Sequence, residues 1–387
     1  MDLVAEMLMR ELPRQAGWPV ACALVRPPLV PVLARLGARR GEPPTADRVF
    51  NRFWLYRRAL GTTRRTSDVF HVVDHSYAHL ALALPAGRTV VTCHDVDTFR
   101  GFATPGAIDT GLPRFLVRRL IAGLRRAAFV VCPSQATADD LVHAHLVNPG
   151  RLVVVPNGVE NGPPSPEAER EAAEMLAAPA PATDILHVGS TVGRKRIDLL
   201  LHTFARVARE WPDARLVRVG GAFTAPQEAL AVSLRVRDRI LVLPFLARDT
   251  LLAVYRRAAL LLMPSDREGF GLPVAEALAA GLPVLARDLP VLREVGGPAA
   301  VYLAGDDPDR WSAAAVAMLA ERRDGDRWRE RQAGARTWAS RFAWSRYATA
   351  MALVYAAVVN GSAHGEDCIA GLPPAGRPGG DLPAARH

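Results

Sequence analysis

The chain has 387 residues, which exceeds one hydrophobic core of ordinary size and predicts about two domains. Hydrophobic residues make up 50% of the chain and charged residues 22%, and these proportions exclude global disorder. No apolar run approaches the roughly 18 residues that span a bilayer, and the acidic start (MDLVAEMLMREL) lacks the layout of a secretory signal.

The charge and the cysteines narrow the class further. Cys22, Cys93, Cys132 and Cys368 form no CxxC pair, which favours a reduced cytosolic protein without structural zinc or a disulfide framework. The net charge of +9 favours an anionic partner. However, 47 of the 48 basic residues are arginine, a bias typical of GC-rich coding, so we expect no nucleic-acid partner. The only lysine, Lys195, then marks a position that needs a compact ammonium group.

Short apolar strands alternate with amphipathic helices, a pattern typical of parallel sheets covered on both faces. The predicted strands are Val20–Val25, Val69–Val73, Thr89–Cys93, Phe129–Cys132, Leu152–Val155, Ile185–Val188, Leu216–Val219, Ile240–Leu243, Leu260–Met263, Val284–Ala286 and Val301–Leu303. Helical patterns fill most of the gaps, for example Asp198–Glu210 and Asp249–Ala259, and a helix over Asp2–Leu12 comes before the first strand. These eleven strands exceed one doubly wound sheet, so we place them in two sheets and two domains.

The composition also predicts where the domains end. A first domain is expected over residues 1–165, a linker with one helical piece over 166–183 and a second domain over 184–342. A helix over 343–360 and a disordered tail over 361–387, rich in Gly and Pro, complete the chain. The strand and glycine-rich turn that normally open a doubly wound sheet are missing before Asp2, so the first domain is expected to lack its first strand.

Two segments of the first domain carry polar features. His94 ends a strand (VVTCHDVD, 90–97), so its side chain should lie at the carboxyl edge of the first sheet, with Asp95 beside it. A lone histidine is usually structural, but this position favours a polar site. The basic amphipathic segment Arg114–Arg126 predicts either contact with anionic lipid headgroups or a solvated helix face.

The first strand of the second domain runs into a small-residue turn, HVGSTVGRKR (187–196). Gly189 and Gly193 let the backbone approach a ligand closely, and Arg194 and Lys195 are suited to neutralise a diphosphate. The spacing matches neither the GxGxxG fingerprint nor a Walker A loop, so neither a dehydrogenase nor a P-loop NTPase is indicated. A solvated basic turn is the alternative, which the position of the only lysine argues against.

The densest signal is the segment PSDREGFGLPVAEALAAGLP (264–283), which follows a buried strand and encloses a helix. Gly269–Leu272 therefore lie at the carboxyl end of a strand and at a helix N-terminus, a position that suits a phosphate. Glu268 and Glu276 flank that position and are predicted to accept hydrogen bonds from sugar hydroxyls. A surface loop with a helix-dipole carboxylate is the alternative.

Two short motifs raise the question of a metal ion. Asp95-Val-Asp97 matches the DxD pattern that holds a divalent cation in some transferases, and Asp266-Arg-Glu268 nearly matches it. Because cations stand beside the second motif, we expect phosphate charge to be met by protein groups and predict no metal site.

Together these motifs resemble the retaining glycosyltransferases of the GT-B fold, family 4 (glycosyl transferases group 1). Glu268 and Glu276 match the family's E-x7-E motif, and Gly189–Lys195 matches its donor-diphosphate turn. The segments VCPSQAT (131–137), VVVPNGVE (153–160) and FAWSRYA (342–348) match further family segments, as does the His94-Asp95 pair. The resemblance implies two Rossmann-like domains facing a cleft, with the C-terminal helix crossing back to the first domain.

The resemblance also implies a donor and roles for residues. The donor would be a UDP- or GDP-linked sugar, transferred to a glycan or lipid-linked acceptor with retained anomeric configuration and without a cofactor. His94 and Glu268 would be the catalytic residues and would contact the sugar. Arg194 and Lys195 would stabilise the leaving diphosphate, and Glu276 would hold the ribose. The full set of implied donor-binding residues is Gly189, Ser190, Arg194, Lys195, Gly269, Phe270, Gly271, Leu272 and Glu276.

Three functions stay open on the sequence alone. The first is a cytoplasmic hexosyltransferase of surface polysaccharide or glycolipid synthesis, in peripheral contact with the inner face of the plasma membrane through Arg114–Arg126. The second is an inactive sugar-nucleotide-binding protein that lacks the N-terminal strand and loop. The third is a GT-B-like epimerase that acts on the nucleotide sugar itself.

Overall fold

The structure is a computed structural model of the chain and describes residues 2–15, 21–30, 45–60, 67–99, 114–177, 183–362 and 364–365. These residues form two compact units. Unit 1 holds the described residues up to Asn157 together with those from Trp344 onward, and unit 2 holds Gly158–Ala343. Each unit contains one parallel sheet with helices around it, so the predicted α/β class with two Rossmann-like halves is confirmed.

All strand pairs in both sheets are parallel. The strands of unit 1 are β1 (Phe70–Val72), β2 (Thr89–Thr92), β3 (Phe129–Cys132) and β4 (Leu152–Val154), and they lie side by side in that order. The strands of unit 2 are β5 (Thr183–Val188), β6 (Ala214–Val219), β7 (Ile240–Leu243), β8 (Leu260–Met263), β9 (Val284–Arg287) and β10 (Ala300–Leu303). Their spatial order is β10-β9-β8-β5-β6-β7.

The helices fall where the apolar periodicity places them. Unit 1 contains α1 (Asp2–Glu11), α2 (Thr45–Phe50), α3 (Tyr56–Ala59), α4 (Arg114–Arg126) and α5 (Gln135–His143). Unit 2 contains α6 (Pro166–Met175), α7 (Ile197–Glu210), α8 (Ala225–Ser233), α9 (Arg248–Arg257), α10 (Leu272–Ala280), α11 (Pro290–Gly296), α12 (Pro308–Ala320) and α13 (Gly325–Ala339). The last helix, α14 (Trp344–Val359), belongs to unit 1 again.

Alternating side chains of the first sheet face two separate apolar layers. Val90 and Val131 pack with α1 and α14, whereas Val91 and Val130 pack with α4. This alternation follows from the two-residue period of a strand, and it buries both faces of the sheet. A polar link joins α14 to the same sheet, because the hydroxyl of Tyr355 lies 2.7 Å from Nδ1 of His71 in β1.

Unit 2 has a larger core with the same design. Ile185 of β5 and Leu260 of β8 pack under α7 and α12, where Phe204 and Trp311 are almost fully buried. Each fully buried apolar side chain of this size contributes about 1.5–3 kcal/mol to the free energy of unfolding. The core therefore fixes β5 and β8 relative to each other, and with them the segments that follow both strands.

One predicted strand is wrong. Residues 21–25 of the predicted strand Val20–Val25 are described, and they form no strand or helix. Leu24 and Val25 are about half exposed, so this apolar run does not enter a sheet. Residue 20 and the predicted tail from 366 onward lie outside the described residues.

Candidate functional site

The strand order of unit 2 creates a position for a ligand. β5 and β8 are neighbours, and the strands that follow each of them extend the sheet in opposite directions. This is a topological switch point, where α/β sheets open a crevice at the carboxyl ends of the strands. The turn that begins at Gly189 follows β5, and the loop that begins at Pro264 follows β8, so both predicted phosphate-binding segments lie there.

Hydrogen bonds join these two segments. The N–H of Asp266 donates to the carbonyl of Arg194 at 2.8 Å, and the guanidinium of Arg194 donates to the carbonyl of Arg267 at 2.9 Å. Nζ of Lys195 lies 2.6 Å from Oε1 of Glu268, and a guanidinium nitrogen of Arg194 lies 3.4 Å from Oε2 of the same carboxylate. The structure thus brings three predicted site residues together, although Glu268 is more than 70 positions from Arg194 and Lys195 in the sequence.

Two cations share one carboxylate at this junction. The side chain of Glu268 is 7% exposed and that of Lys195 is 9% exposed, so the pair offsets the cost of burying either charge alone. Arg194 is the second cation on the same carboxylate, and its side chain is 25% exposed. Cations held in this way beside a helix N-terminus suit an anionic ligand.

The start of α10 requires glycine. Gly271 has φ +88°, and a Cβ atom there would come within 2.5 Å of Cδ2 of Leu292. The nine-residue helix then begins at Leu272. Pro273 has no N–H, and the N–H groups of Val274 and Ala275 donate to the carbonyl of Gly271, so the helix itself does not use the N–H groups of Gly271 and Leu272. With the helix dipole, these N–H groups favour a negative charge close to Gly269 and Gly271.

Two further predicted donor-binding residues, Phe270 and Ser190, lie in different surroundings. The ring of Phe270 is buried and packs edge-on against Phe342, with centroids 5.7 Å apart, so its backbone is the part that remains for a ligand. Ser190 is half-buried and lies between Gly189 and Thr191, whose carbonyl accepts a hydrogen bond from Gln227.

Glu276 lies on α10, and its carboxyl group has one polar partner on α9. The hydroxyl of Tyr255 donates to Oε2 of Glu276 at 2.9 Å. Burial raises the pKa of Glu276 from 4.5 to about 7, although the hydrogen bond from Tyr255 and the charge of Arg248 lower it. Glu276 therefore changes charge near neutral pH, and Oε1 remains as a second acceptor.

His94 lies in unit 1, just beyond the end of β2. Its Nε2 is 2.8 Å from the carbonyl of Val73, and because a carbonyl only accepts, this contact assigns the proton to Nε2. Burial lowers the pKa of His94, so the ring is neutral and Nδ1 carries a lone pair. The side chain is thus suited to accept a hydrogen bond from a hydroxyl group.

A second histidine, which the sequence analysis missed, supports His94. His75 is 4% exposed, and its Nδ1 accepts a hydrogen bond from the N–H of His94 at 3.3 Å. Nε2 of His75 lies 3.3 Å from the hydroxyl of Thr98 and 3.7 Å from a carboxylate oxygen of Asp95. The motif HSYAH carried no signal of this contact, because His75 and His94 are 19 positions apart.

Two family models match the chain, one in the range of unit 1 and one in the range of unit 2. Residues 3–161 match the family model "Glycosyltransferase Family 4", and residues 169–334 match "Glycosyl transferases group 1". The chain carries a glycosyltransferase family 4 domain followed by a glycosyl transferases group 1 domain. These two domains correspond to the two parallel-sheet halves described above.

Named relatives are similar to part of this chain. A D-inositol 3-phosphate glycosyltransferase of Xylanimonas cellulosilytica is 38% identical over 243 residues, which are 59% of this chain and 56% of the relative. The O-antigen chain mannosyltransferase RfbU of Salmonella typhimurium is 27% identical over 239 residues, which are 61% of this chain and 62% of the relative. The chain spans about half the length of the curated relatives it matches first.

Solved structures agree on the fold. The glycosyltransferase WaaG, involved in lipopolysaccharide biosynthesis, superposes with a TM-score of 0.65 at 17% identity and covers 91% of this chain and 95% of WaaG. Anabaena Alr3699/HepE in complex with UDP and glucose superposes with a TM-score of 0.64 at 18% identity, covering 79% of this chain and 82% of that one. The glycosyltransferase domains of this chain therefore have the GT-B fold.

The sequence analysis did not predict a network of ion pairs that lies at the same junction of the turn after β5 and the loop after β8. Arg196, at φ +49°, donates to Asp266 at 3.1 Å and to Asp306 at 2.8 Å. Arg287 contacts the same two carboxylates, and its Nε donates to the carbonyl of Pro264 at 3.1 Å. The network fixes the turn after β5 against the loop after β8.

Carboxylates of both DxD-like triplets have partners within the protein. Asp266 accepts from Arg196 and Arg287, and Glu268 pairs with Lys195 and Arg194, so the carboxylates of the second triplet face cations of the protein. In the first triplet, Oδ1 of Asp95 accepts the N–H of Asp97. Within the described ranges, no three His, Cys, Asp or Glu side chains are grouped so that they would hold a metal ion.

The predicted basic helix of the family 4 domain is α4. It buries Leu116, Leu120 and Leu124 and exposes arginines together with Phe115, which is 55% exposed. The exposed arginines are Arg114, Arg118, Arg119, Arg125 and Arg126. Arg125 donates to the carbonyl of His145 at 2.9 Å. No helix in the described part of the chain is long and apolar enough to cross a bilayer.

Proposed function

We propose that this chain is a retaining hexosyltransferase that uses a UDP- or GDP-linked sugar and a glycan or lipid-linked acceptor. The observation that carries the proposal is the junction at the switch point of unit 2. There, Lys195 and Arg194 share Glu268 beside the N-terminus of α10. Cations and helix N–H groups at one sheet edge are the groups that a diphosphate requires.

In the proposed reaction, the bond between the anomeric carbon and the diphosphate oxygen breaks. The oxygen of an acceptor hydroxyl bonds to the same face of the sugar, and its proton passes to the leaving diphosphate. The leaving diphosphate gains negative charge as its bond to the anomeric carbon breaks. Lys195 and Arg194 stabilise that charge, and because they are already fixed by Glu268 and by the carbonyl of Arg267, little reorganisation is needed.

The remaining predicted residues hold the nucleotide and the sugar. Glu276 accepts hydrogen bonds from the ribose, with Tyr255 holding one of its oxygens. The backbone of Gly269–Leu272 receives the α-phosphate, and the carboxylate of Glu268 and Nδ1 of His94 accept from sugar hydroxyls. Charge neutralisation by Arg194 and Lys195 supports a reaction that needs neither a metal ion nor a cofactor.

The relatives support the substrate class. Their printed names include D-inositol 3-phosphate glycosyltransferases and an O-antigen mannosyltransferase, and the structural neighbour WaaG is involved in lipopolysaccharide biosynthesis. We therefore place the proposed activity in surface polysaccharide or glycolipid synthesis, in the cytoplasm. The arginines and Phe115 on α4 support peripheral contact with an anionic lipid surface.

A panel of UDP- and GDP-sugars tests the proposal by thermal shift and then by transfer. A nucleotide at about 100 times its Kd stabilises the folded chain by about 2.7 kcal/mol, so the cognate base raises Tm measurably. Transfer to a glycan or lipid-linked acceptor with the anomeric configuration of the donor supports the proposal. Binding without transfer favours an inactive sugar-nucleotide-binding protein, an epimerised nucleotide sugar favours the epimerase, and absence of binding contradicts all three functions.

A further inference from the structure

Arg218 is a buried cation that the proposed mechanism does not use. It is the fifth residue of β6, it is 0% exposed, and its backbone pairs in register with His187 of β5. No carboxylate pairs with Arg218 in the described part of the chain. An isolated buried charge carries a large desolvation cost, so its surroundings must compensate it.

The compensation comes from three glycine carbonyls. The guanidinium donates to Gly189 at 2.8 Å, to Gly220 at 3.4 Å and to Gly221. These glycines follow β5 and β6 at the carboxyl edge of the sheet, where the candidate site lies. A Cβ atom on Gly220 would stand 2.0 Å from the carbonyl oxygen of Gly189, so close packing of the two turns requires glycine.

This contact sets the direction of a peptide group in the site. The peptide between Gly189 and Ser190 is trans and planar, so its N–H points away from its carbonyl oxygen. Because the carbonyl of Gly189 faces Arg218, the N–H of Ser190 faces the opposite side. That N–H makes no hydrogen bond within the described ranges, and the stem of Lys195 lies next to Gly189.

The neighbouring polar groups do not neutralise Arg218. His187 is 0% exposed, and neither of its ring nitrogens has a hydrogen-bond partner in the described chain. Burial, with the charges of Arg218 and Lys195, lowers the pKa of His187 to about 3, so His187 is neutral. Nε of Arg218 is likewise without a partner in the same ranges, and the guanidinium carbon lies 5.5 Å from the ring centre of Phe223.

We propose that Arg218 is a positioning residue for the donor diphosphate. It orients the Gly189–Ser190 peptide so that the N–H of Ser190 is presented to the phosphate farther from the base, and its buried charge adds to the positive potential there. This inference rests on the proposed function, because it assigns Arg218 to the diphosphate of the same donor. It adds a third cation to the site, one that acts through the backbone.

The test compares diphosphate with monophosphate binding, by calorimetry, in wild type and in R218M, R218K and R239M. Arg239 is the matched control, because it also donates to backbone carbonyls but lies at the amino end of β7. For R218M we expect affinity for UDP or GDP to fall about tenfold and affinity for the matching monophosphate to fall about threefold or less. R218K should recover part of the diphosphate affinity, because it restores the charge but not the contacts to three carbonyls.

The control variant and each negative result lead to different conclusions. R239M should lower Tm and leave the ratio of the two affinities unchanged. If folded R218M keeps the wild-type ratio, the inference is wrong while the proposed function stands. Should R218M fail to fold, R218K decides: a diphosphate affinity about threefold below wild type, with monophosphate unchanged, supports the inference, and an unchanged ratio overturns it. If wild type binds neither nucleotide, the proposed function and the inference fall together.

Discussion

The carboxyl edges of the two sheets are built from different chemistry. In unit 2 this edge carries Lys195, Arg194 and Arg218 close to glycine backbone, with Glu268 as the paired carboxylate. In unit 1 the corresponding edge carries His94, a neutral ring whose Nε2 is held by the carbonyl of Val73. The first edge is suited to phosphate charge, and the second is suited to uncharged hydroxyl groups.

This difference between the two edges follows from the groups that lie at the carboxyl ends of the strands in each sheet. Glycine turns and a helix N-terminus place N–H dipoles outward, and cations add to their potential. At the end of β2, burial disfavours the imidazolium form of His94, and this effect outweighs the opposite effects of the Val73 carbonyl and of the charge of Asp74 on its pKa. The two edges therefore differ in the ligand group that each is suited to bind, a charged group in unit 2 and a polar neutral group at His94 in unit 1.

The largest effect is expected from Lys195. K195A removes the ammonium that the proposed reaction uses to stabilise the leaving diphosphate, so kcat should fall about 10³-fold. K195R restores a cation but not its compact shape, so part of the rate should return. Initial-rate kinetics with the cognate donor measure both variants.

Arg209 supplies the control for this pair, because it is an exposed cation at the far end of α7. R209A should keep the wild-type rate. A K195A variant that turns over at the wild-type rate contradicts the division of charge between the two edges.

The next largest effect concerns His94. H94A removes the Nδ1 acceptor, and we expect kcat to fall about 10²-fold, whereas H94Q keeps a donor for Val73 and an acceptor and should lose less. Because burial lowers the pKa of His94, protonation of His94 should not lower kcat, measured at saturating donor, as pH falls through 6.5, the ordinary histidine value. H143A, on an exposed histidine of α5, is the control, and a His-type acid limb that H94Q abolishes would contradict a neutral edge.

We expect the ionisation of Glu276 to make nucleotide affinity at the charged edge depend on pH. Its pKa of about 7 lies above the ordinary 4.5, so the ionised form costs free energy of folding as pH rises from 4.5 to about 7. A ribose that donates to the carboxylate offsets this cost, and UDP or GDP should bind up to about tenfold more weakly at about pH 6 than at about pH 8. E276Q should bind weakly at both values and retain only the titration of the nucleotide, so calorimetry of the pair isolates Glu276. Equal pH profiles in both proteins would remove Glu276 from the site.

The smallest effect lies outside both edges. Y355F removes the hydroxyl that meets Nδ1 of His71, and it should lower the free energy of unfolding by about 1–2 kcal/mol in urea titrations. Y56F is the control, because the Tyr56 hydroxyl has no hydrogen-bond partner in the described chain. Nucleotide affinity should not change in either variant, since the charged edge belongs to unit 2. A drop in affinity for Y355F would show that the two units are not separable in this way.

Sequence reasoning was successful where the signal is local. Short apolar runs between helices gave the strands of both sheets, because a strand buried on both faces must be apolar throughout. Gly271 and Gly281 marked the ends of α10, since both take positive φ. The apolar run at Val20–Val25 failed as a strand, because hydrophobicity alone does not provide a sheet edge for pairing.

Contacts between distant segments were beyond that reasoning. The pairing of Lys195 with Glu268 and the Arg196 contacts to Asp266 and Asp306 depend on β5 and β8 becoming neighbours. Arg218 reads as an ordinary polar residue inside a strand, and only the fold shows that its side chain meets glycine carbonyls. Turn composition predicted that the segments after β5 and β8 lie at strand ends, whereas the hydrogen bonds and ion pairs that join the two segments were not predictable.

A structure of the chain in complex with UDP or GDP tests the central claim most directly. The account predicts phosphate oxygens at about 3 Å from Nζ of Lys195 and from the N–H of Ser190, with the α-phosphate at the N–H groups of Gly271 and Leu272. A nucleotide bound with its phosphates away from Lys195 and from the start of α10 would contradict it.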